Sequence, residues 1–406
     1  KRLGIAIIGV LVLLYAALMA SAASIVNSKH DLSVSSTGAT IKSGPTATGG
    51  TGEICVFCHT PHSAATDAPL WNRSYPASGS ISPYQSDVMT ALAYTEGDYT
   101  VGSHAKTRIC LACHDNTIAI GSLINLPAGL SGDIPMSGTT GGYMPTSAAG
   151  FIGTDLRDDH PVAIKYLGTG SGPDHEIKST PATPSPGPGL TPRLYTDSGS
   201  NYIECTSCHN AHDNQYGNFL IASNKQSGLC LACHTKDGFT GSIHETSSQA
   251  YAPPTGAPTS ANTPTLLGTN VGEVKCMNCH FPHKAGVTDT SQLPLANPNT
   301  GSGKYLLTFQ EEMSCFNNGS TNYNRWNQSS TACHGTGGSG RDIKTDTDQT
   351  SAHKVGNYAA KHGAVEVRSA SSSGWFSSGV WHVECEDCHN PHAAGNAIHT
   401  IGTNTI

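Results

Sequence analysis

One short motif, C-x-x-C-H, occurs six times in the sequence and constrains the fold more than any other feature. The six copies are Cys55/Cys58/His59, Cys110/Cys113/His114, Cys205/Cys208/His209, Cys230/Cys233/His234, Cys276/Cys279/His280 and Cys385/Cys388/His389. Two cysteines one helical turn apart can form thioethers to the two vinyl groups of a porphyrin, and the adjacent histidine then lies under the ring and can bind iron. Each copy therefore predicts one covalently attached haem c.

Two other uses of paired cysteines explain the motif less well. Structural zinc sites also use C-x-x-C pairs, but they need four ligands and give no reason for a histidine after the second cysteine of every copy. A disulfide framework explains the even number of cysteines, fourteen in all, but neither their spacing nor the histidine. Haem attachment is the interpretation that accounts for all three features.

The two remaining cysteines, Cys315 and Cys333, predict a seventh haem. His334 follows Cys333 as in the other copies, so the site reads C-x17-C-H, with residues 316–332 between the cysteines. That segment is rich in Asn, Gly and Ser, and it can bulge out as a loop while both sulfurs reach the vinyl groups. Two alternatives remain open: a haem held by Cys333 alone, or a local disulfide with no haem.

A second histidine follows the first by three residues at four of the seven sites, numbered here in chain order. These are sites one, three, five and seven, and the residues are His62, His212, His283 and His392. Three residues of helix advance by only about 4.5 Å, so the second histidine cannot reach the opposite face of its own haem. We expect each to be the distal iron ligand of a neighbouring haem rather than an ordinary surface histidine.

Three further distal ligands are needed if every iron has two histidine ligands. The predicted residues are His30, His160 and His353, because each lies two residues before an apolar residue in similar surroundings. His382 and His244 are the next candidates. The remaining histidines are expected to be exposed to solvent.

The composition predicts an irregular fold. Only 13% of the residues are charged, against about 25% in ordinary domains, and the chain has 45 Gly and 23 Pro. Apolar side chains are sparse and the backbone entropy that opposes folding is high. We expect mostly coil with short helices and minimal strand content, in one extended domain, 23–406, whose core is the haems. Loops rich in Gly, Pro, Ser and Thr are expected near 175–200, 249–265 and 369–379.

Residues 1–22 have the features of an export signal. Lys1 and Arg2 precede an apolar run, and the small residues 20–22 follow it. The alternative is an uncleaved anchor, because the run is close to the lower length limit for spanning a bilayer. We expect a secreted protein, extracellular or at the cell surface, with the periplasm as alternative and no membrane contact after cleavage. The net charge of −7 and the absence of a basic cluster beyond the N-terminus argue against nucleic acid as a partner.

The doubled motif resembles that of multihaem c-type cytochromes and, within that group, of extracellular cytochromes that polymerise into nanowire filaments. Residues 28–32 leading to 55–62, and residues 204–234 with their paired sites, carry the likeness. The resemblance implies all-histidine ligation, haems that alternate between parallel and T-shaped stacking, and a distal histidine shared across a subunit boundary in a homopolymer. The C-x17-C-H site departs from the usual pattern and leaves the ligation of the sixth haem open.

Electron transfer through seven haems, without catalysis, is the function that these features favour. Twenty histidines less seven in the motifs leave thirteen, more than the seven distal ligands needed. We expect long-range extracellular transport in a filament, with redox proteins or extracellular acceptors as partners. The alternatives are a sulfite or nitrite reductase with an open iron at the C-x17-C-H site, a periplasmic monomeric carrier, and an anchored quinol dehydrogenase.

Overall fold

The computed structural model of the protein describes the chain in several ranges. These are residues 25–65, 70–77, 80–84, 105–168, 176–250, 268–283 and 391–393, with the backbone of 400–401 and 404–405. Several predicted features lie outside these ranges: residues 1–22, Cys315, Cys333, His334, His353, His382, Cys385, Cys388 and His389.

Most of the described chain is irregular coil, and its helices are short. The α-helices are α1 (Ala105–His114), α2 (Cys205–Cys208), α3 (Gly228–Cys233), α4 (Ile243–Thr246) and α5 (Val271–Val274). Single 3₁₀ turns occupy Thr46–Thr48, Cys55–Phe57, Lys225–Ser227, Lys275–Asn278 and Pro391–Ala393. None of the helices in the described ranges is long and apolar enough to cross a membrane.

The described strands are two to four residues long and form three small antiparallel sheets. They are β1 (Lys42–Ser43) with β2 (Met136–Ser137), β3 (Ile164–Lys165) with β5 (Ser200–Ile203) and β4 (Tyr195–Asp197), and β6 (Thr400–Ile401) with β7 (Asn404–Thr405). Ser198 and Gly199 join β4 to β5, and both have positive φ, as the tight turn of a two-residue hairpin requires. The prediction of a mostly irregular fold with short helices and little strand is confirmed.

Each described attachment motif lies on or beside a short helical turn. At sites one, three, four and five the backbone N–H of the motif histidine donates to the carbonyl of the first cysteine, at 2.8–3.0 Å. This bond closes one helical turn, so both sulfurs lie on one side of it. At sites three and four the chain becomes extended at the histidine, with ψ of 143° and 142°. The histidine side chain can therefore turn away from the helix axis.

The form of this turn differs between sites. At site three, Cys205 and Cys208 both lie inside α2, as expected. At sites one and five the turn is 3₁₀, and the second cysteine, Cys58 or Cys279, lies just past its end. In both cases the backbone N–H of that cysteine donates to the carbonyl of the first cysteine at 3.1 Å. A 3₁₀ turn closes after three residues, so the C-x-x-C spacing is met there without an α-helix.

Buried apolar residues form small clusters beside these turns. Ile81, Leu111, Leu156 and Ala163 pack together next to α1, while Ile221, Ala222 and Leu229 pack next to α3. Each cluster covers the helix of one attachment site. Apolar packing in these clusters is therefore confined to the surroundings of the sites.

The Arg73 side chain is a polar anchor between the first two sites. It is fully buried and donates to the carbonyl oxygens of Ile120 at 2.7 Å, Ala119 at 2.8 Å and Ala112 at 3.2 Å. The neighbouring Asn72 is also fully buried and bridges two loops in the same way. These side chains pair backbone groups that have no partner in a helix or sheet.

The variant Arg73→Met is expected to lower the free energy of unfolding by about 3 kcal/mol, because it leaves buried carbonyls without a donor. Denaturant unfolding of the haem-loaded protein measures the change. Lys165→Met, at an exposed position of β3, is the matched control and should change that free energy by less than about 0.5 kcal/mol. Equal effects of the two variants would contradict the anchoring role.

Candidate haem-binding sites

At each of the five described attachment sites, the motif histidine faces a second imidazole ring. The centroid distances are 6.0 Å for His59 and His212, 6.1 Å for His114 and His30, 6.1 Å for His209 and His283, 6.3 Å for His234 and His160, and 6.0 Å for His280 and His392. The five distances agree within 0.3 Å, although the partner rings come from very different parts of the sequence.

This distance fits an iron between the rings. Directly packed aromatic rings have centroids anywhere from about 4.5 to 7 Å apart, so direct packing alone does not explain why the five distances agree within 0.3 Å. A metal–imidazole bond of about 2 Å on each side, plus about 1 Å from each nitrogen to its centroid, separates two trans ligands by about 6 Å. The residues present therefore fit a haem iron with two axial histidines, and the protein would supply both ligands.

The second histidines pair with sites two positions earlier in the chain. His212 of site three faces the histidine of site one, His283 of site five faces that of site three, and His392 of site seven faces that of site five. Local spacing indicates only that such a histidine cannot reach its own haem. The recipient depends on how the intervening loops return, and the structure supplies that information.

His62 differs from the other second histidines. Its side chain is exposed, and its carbonyl oxygen accepts hydrogen bonds from Thr60 Oγ1 and Asn125 Nδ2. Within the described part of the chain, its ring faces no second histidine. Site one therefore offers an imidazole that none of the described sites uses.

Two of the histidines predicted from their surroundings, His30 and His160, lie opposite the motif histidines of sites two and four. The third, His353, lies outside the described residues. His30 also stacks on Phe219, with ring centroids 4.0 Å apart, which orients its imidazole. Sites two and four thus pair with histidines outside any motif, whereas sites one, three and five pair with second histidines.

Hydrogen bonds at Nδ1 orient many of these rings. The contacts are His30 with Ala211 O at 3.2 Å, His114 with Gly150 O at 2.5 Å, His160 with Pro161 O at 3.0 Å, His209 with Asn218 O at 2.9 Å, His244 with Pro391 O at 2.7 Å, and His283 with Asp159 Oδ1 at 2.9 Å. An imidazole that donates from Nδ1 presents the lone pair of Nε2 to a metal, as is usual for metal-ligating histidines.

Burial keeps most of the paired imidazoles neutral. Desolvation, reinforced by neighbouring histidines, lowers the pKa of His30, His209 and His234 to about 4 and that of His392 to about 3. The neutral imidazole is the form that binds a metal. These rings are therefore in the ligand form at neutral pH.

His283 has a different electrostatic environment. Burial lowers its pKa, but the hydrogen bond to Asp159 and the charge of that carboxylate outweigh burial, so the pKa is raised. The Asp159 side chain is only 3% exposed. A carboxylate that accepts from Nδ1 makes the imidazole a more basic ligand. It would therefore stabilise ferric over ferrous iron at site three.

The attachment cysteines of consecutive sites interact with one another. A hydrogen bond to Cys205 and burial raise the pKa of Cys110, and a hydrogen bond to Cys276 and burial raise that of Cys230. Burial, with a smaller effect of the nearby thiol, raises the pKa of Cys58 beside Cys113 and of Cys208 beside Cys233 to about 12. First cysteines are hydrogen-bonded between sites two and three and between sites four and five, and second cysteines lie near each other between sites one and two and between sites three and four. The five sites thus form one row in chain order.

Cys279, the second attachment cysteine of site five, lies at the far end of this row. It is half-buried, forms no disulfide, and immediately precedes His280, whose ring faces that of His392. The position suits a thioether on the haem of site five.

Glu204 fastens site two to site three. Its carboxylate accepts from the backbone N–H of Thr107 at 3.0 Å and from the Thr107 hydroxyl, which joins α1 to the start of α2. Glu204 is 1% exposed, and burial raises its pKa to about 8. This contact holds α1 and α2 together where Cys110 and Cys205 are hydrogen-bonded.

The alternatives to haem gain no support from the described residues. None of the ten described cysteines forms a disulfide. No group of three His, Cys, Asp or Glu side chains in those ranges converges as it would around a bare metal ion.

Two classes of ferric signal are expected in the electron paramagnetic resonance spectrum of the oxidised protein. The ring planes are close to parallel at sites one and five, 14° and 9°, and close to perpendicular at sites two and four, 69° and 77°. Perpendicular imidazoles leave two iron d orbitals almost degenerate, which gives a strongly anisotropic low-spin signal, whereas parallel imidazoles give a rhombic one. His160→Ala should remove a strongly anisotropic component and His392→Ala a rhombic one. A spectrum with rhombic signals alone would contradict these angles.

Asp159→Asn is expected to raise the reduction potential of the third haem by on the order of 60 mV. Such a partner typically changes metal affinity about tenfold or more, and tenfold corresponds to about 59 mV for one electron. Spectroelectrochemical titration measures the shift. The exposed Asp133→Asn removes the same charge and should leave all potentials nearly unchanged. An unchanged potential in Asp159→Asn would show that the carboxylate does not tune the iron.

Comparison with known proteins agrees with this geometry. A family model for the doubled CXXCH motif matches residues 200–239, which contain sites three and four. No curated protein matches the chain closely enough to count as a relative. The CXXCH motifs indicate covalently bound haem c. The chain is thus a haem-binding protein of the electron-transfer type, similar to multihaem c-type cytochromes.

Proposed function

We propose that this protein is an electron conduit with seven haems, that it is exported, and that its copies join into an extracellular filament. The observation that carries the proposal is the set of five imidazole pairs at 6.0–6.3 Å, at attachment sites whose cysteines lie near those of the next site. The remaining two haems are those of the C-x17-C-H site and of Cys385/Cys388/His389.

The paired imidazoles favour electron transfer over catalysis. An iron with histidine on both faces is six-coordinate, so sulfite, nitrite or another substrate has no position at which to bind. At the five described sites a second imidazole stands where a substrate would have to bind. Electrons would therefore enter and leave these haems without any bond being made at the iron.

The contacts between cysteines support transfer along the row. A thioether lies at the edge of its porphyrin, so contact between cysteines of two sites brings two haem edges together. Hydrogen bonds between cysteines link site two to three and four to five, and nearby cysteines link site one to two and three to four. Their alternation between first and second cysteines supports two alternating kinds of haem stacking.

His62 supports polymerisation. The second histidines of sites three, five and seven each face a site two positions earlier. Among the four sites that have a second histidine, each such histidine thus faces the preceding member, so His62 of site one would serve the last member, site seven, of another copy. Within one copy, the second histidines of sites three, five and seven face sites one, three and five, so none of the three is left for the seventh haem. We therefore assign His62 as the distal ligand of that haem, in a head-to-tail contact that leaves both ends open to further copies.

His62→Ala is expected to abolish long filaments. Electron microscopy and light scattering of the haem-loaded protein measure assembly, and a high-spin ferric signal should appear at the seventh haem because one axial ligand is lost. His212→Ala is the matched control, since that ring faces a site in its own copy. The control should gain a high-spin signal yet still assemble. Filaments of His62→Ala as long as those of the unaltered protein would refute the assignment.

A further inference from the structure

His244 has the contacts of an axial ligand, although it belongs to no attachment motif. It lies in α4, which packs against the turn of residues 391–393 at the seventh site. Its Nδ1 lies 2.7 Å from the carbonyl oxygen of Pro391. A ring held at Nδ1 by a carbonyl presents Nε2 to a metal, which is the arrangement of His30 and His209.

The loop around His244 repeats the loop around His30. Each histidine is followed by an acid, Glu245 or Asp31, whose carboxylate accepts from the backbone N–H four residues earlier. The two distances are 2.6 Å and 2.7 Å. The carboxylate thus closes the same turn over both histidines.

The serine two residues before each histidine is also shared. Ser242 and Ser28 are 0% and 8% exposed, and each donates its backbone N–H to the carbonyl three residues earlier, at 2.9 Å and 3.0 Å. The common sequence is Ser-x-His followed by Asp or Glu. Two segments far apart in the chain therefore form one type of ligand loop.

The position against which each loop packs is the third common feature. His30 Nδ1 contacts Ala211 O at 3.2 Å, the backbone N–H of His160 donates to Pro282 O at 2.7 Å, and His244 Nδ1 contacts Pro391 O at 2.7 Å. The three carbonyls belong to the same position, third in the His-x-x-His segments of sites three, five and seven. His30 faces site two and His160 faces site four, each one site before the segment it contacts. By this order, the histidine that contacts site seven serves site six.

We propose that His244 is the distal iron ligand of the sixth haem, the one attached at the C-x17-C-H site. The proposal rests on the proposed function, in which all seven irons carry two histidines, and it replaces His353 as the third distal ligand from outside the attachment motifs. The sixth iron is then closed to substrate like those of sites two and four. The long spacing between Cys315 and Cys333 is then no argument for an open catalytic iron.

The variants His244→Ala and His353→Ala, made in the full haem-loaded chain, separate the two ligands. His244→Ala should convert one haem to the high-spin ferric form, seen by electron paramagnetic resonance, and added imidazole should restore the low-spin form. His353→Ala should remain low-spin throughout. A high-spin haem in His353→Ala with none in His244→Ala overturns the proposal, as does a low-spin spectrum in both.

A second variant, His244→Met, distinguishes loss of the axial ligand from loss of structure in the alanine variant. A methionine in the ligand position should give a thioether–iron charge-transfer band in the near infrared and a higher potential for one haem. Mass spectrometry counts the attached haems, and absence of the band in a variant that carries all seven overturns the proposal. A high-spin haem in the assembled, unaltered protein would instead contradict the closed conduit itself, so the two failures are distinguishable.

Discussion

Paired imidazoles, one from an attachment motif and one from a second segment, connect distant parts of the described chain, and a haem iron bound between them would join the two segments. The account of the rest of this structure depends on that link. His59 and His212, or His114 and His30, are far apart in sequence, yet their rings lie 6.0 Å and 6.1 Å apart. In an ordinary domain, burial of apolar surface compensates the entropy of such loop closures. Here the ligand pairs would do so, because the described apolar clusters contain only a few residues each.

Buried polar side chains also connect neighbouring attachment sites. Arg73 and Glu204 are both almost fully buried, and each satisfies backbone groups of a neighbouring attachment site. A chain with few strands leaves many backbone groups unpaired, and buried groups of this kind are costly unless they are bonded. The same contacts set the spacing of the sites, so the polar network fixes the haem row as well as the fold.

The sequence predicts the local structure better than the connections. The C-x-x-C spacing needs one helical turn, and such turns occur at Cys55–Phe57 and Cys205–Cys208, although the spacing does not distinguish the 3₁₀ form of the first from the α form of the second. Sparse apolar residues predict an irregular fold, and the described chain has one. The small sheets escape prediction because strands of two to four residues carry no measurable alternation.

The recipient of each distal histidine also escapes prediction, since it depends on how whole loops return to the row. Asp159 gave no signal in sequence, because nothing local links it to His283 across the chain. His244, the ligand that we propose for the sixth haem, did give one. It shares Ser-x-His-acid with His30, a pattern that is more specific than the apolar residue two positions on that pointed to His353.

An electron cryo-microscopy map of the oxidised, haem-loaded protein tests the central claim most directly. The claim is that each iron lies between two imidazoles that the polypeptide itself holds 6.0–6.3 Å apart. The account predicts iron density midway between the rings of all five described pairs, with Nε2 of both histidines bonded to the metal. An iron bound by its motif histidine alone, or by a residue other than the paired one, would contradict it.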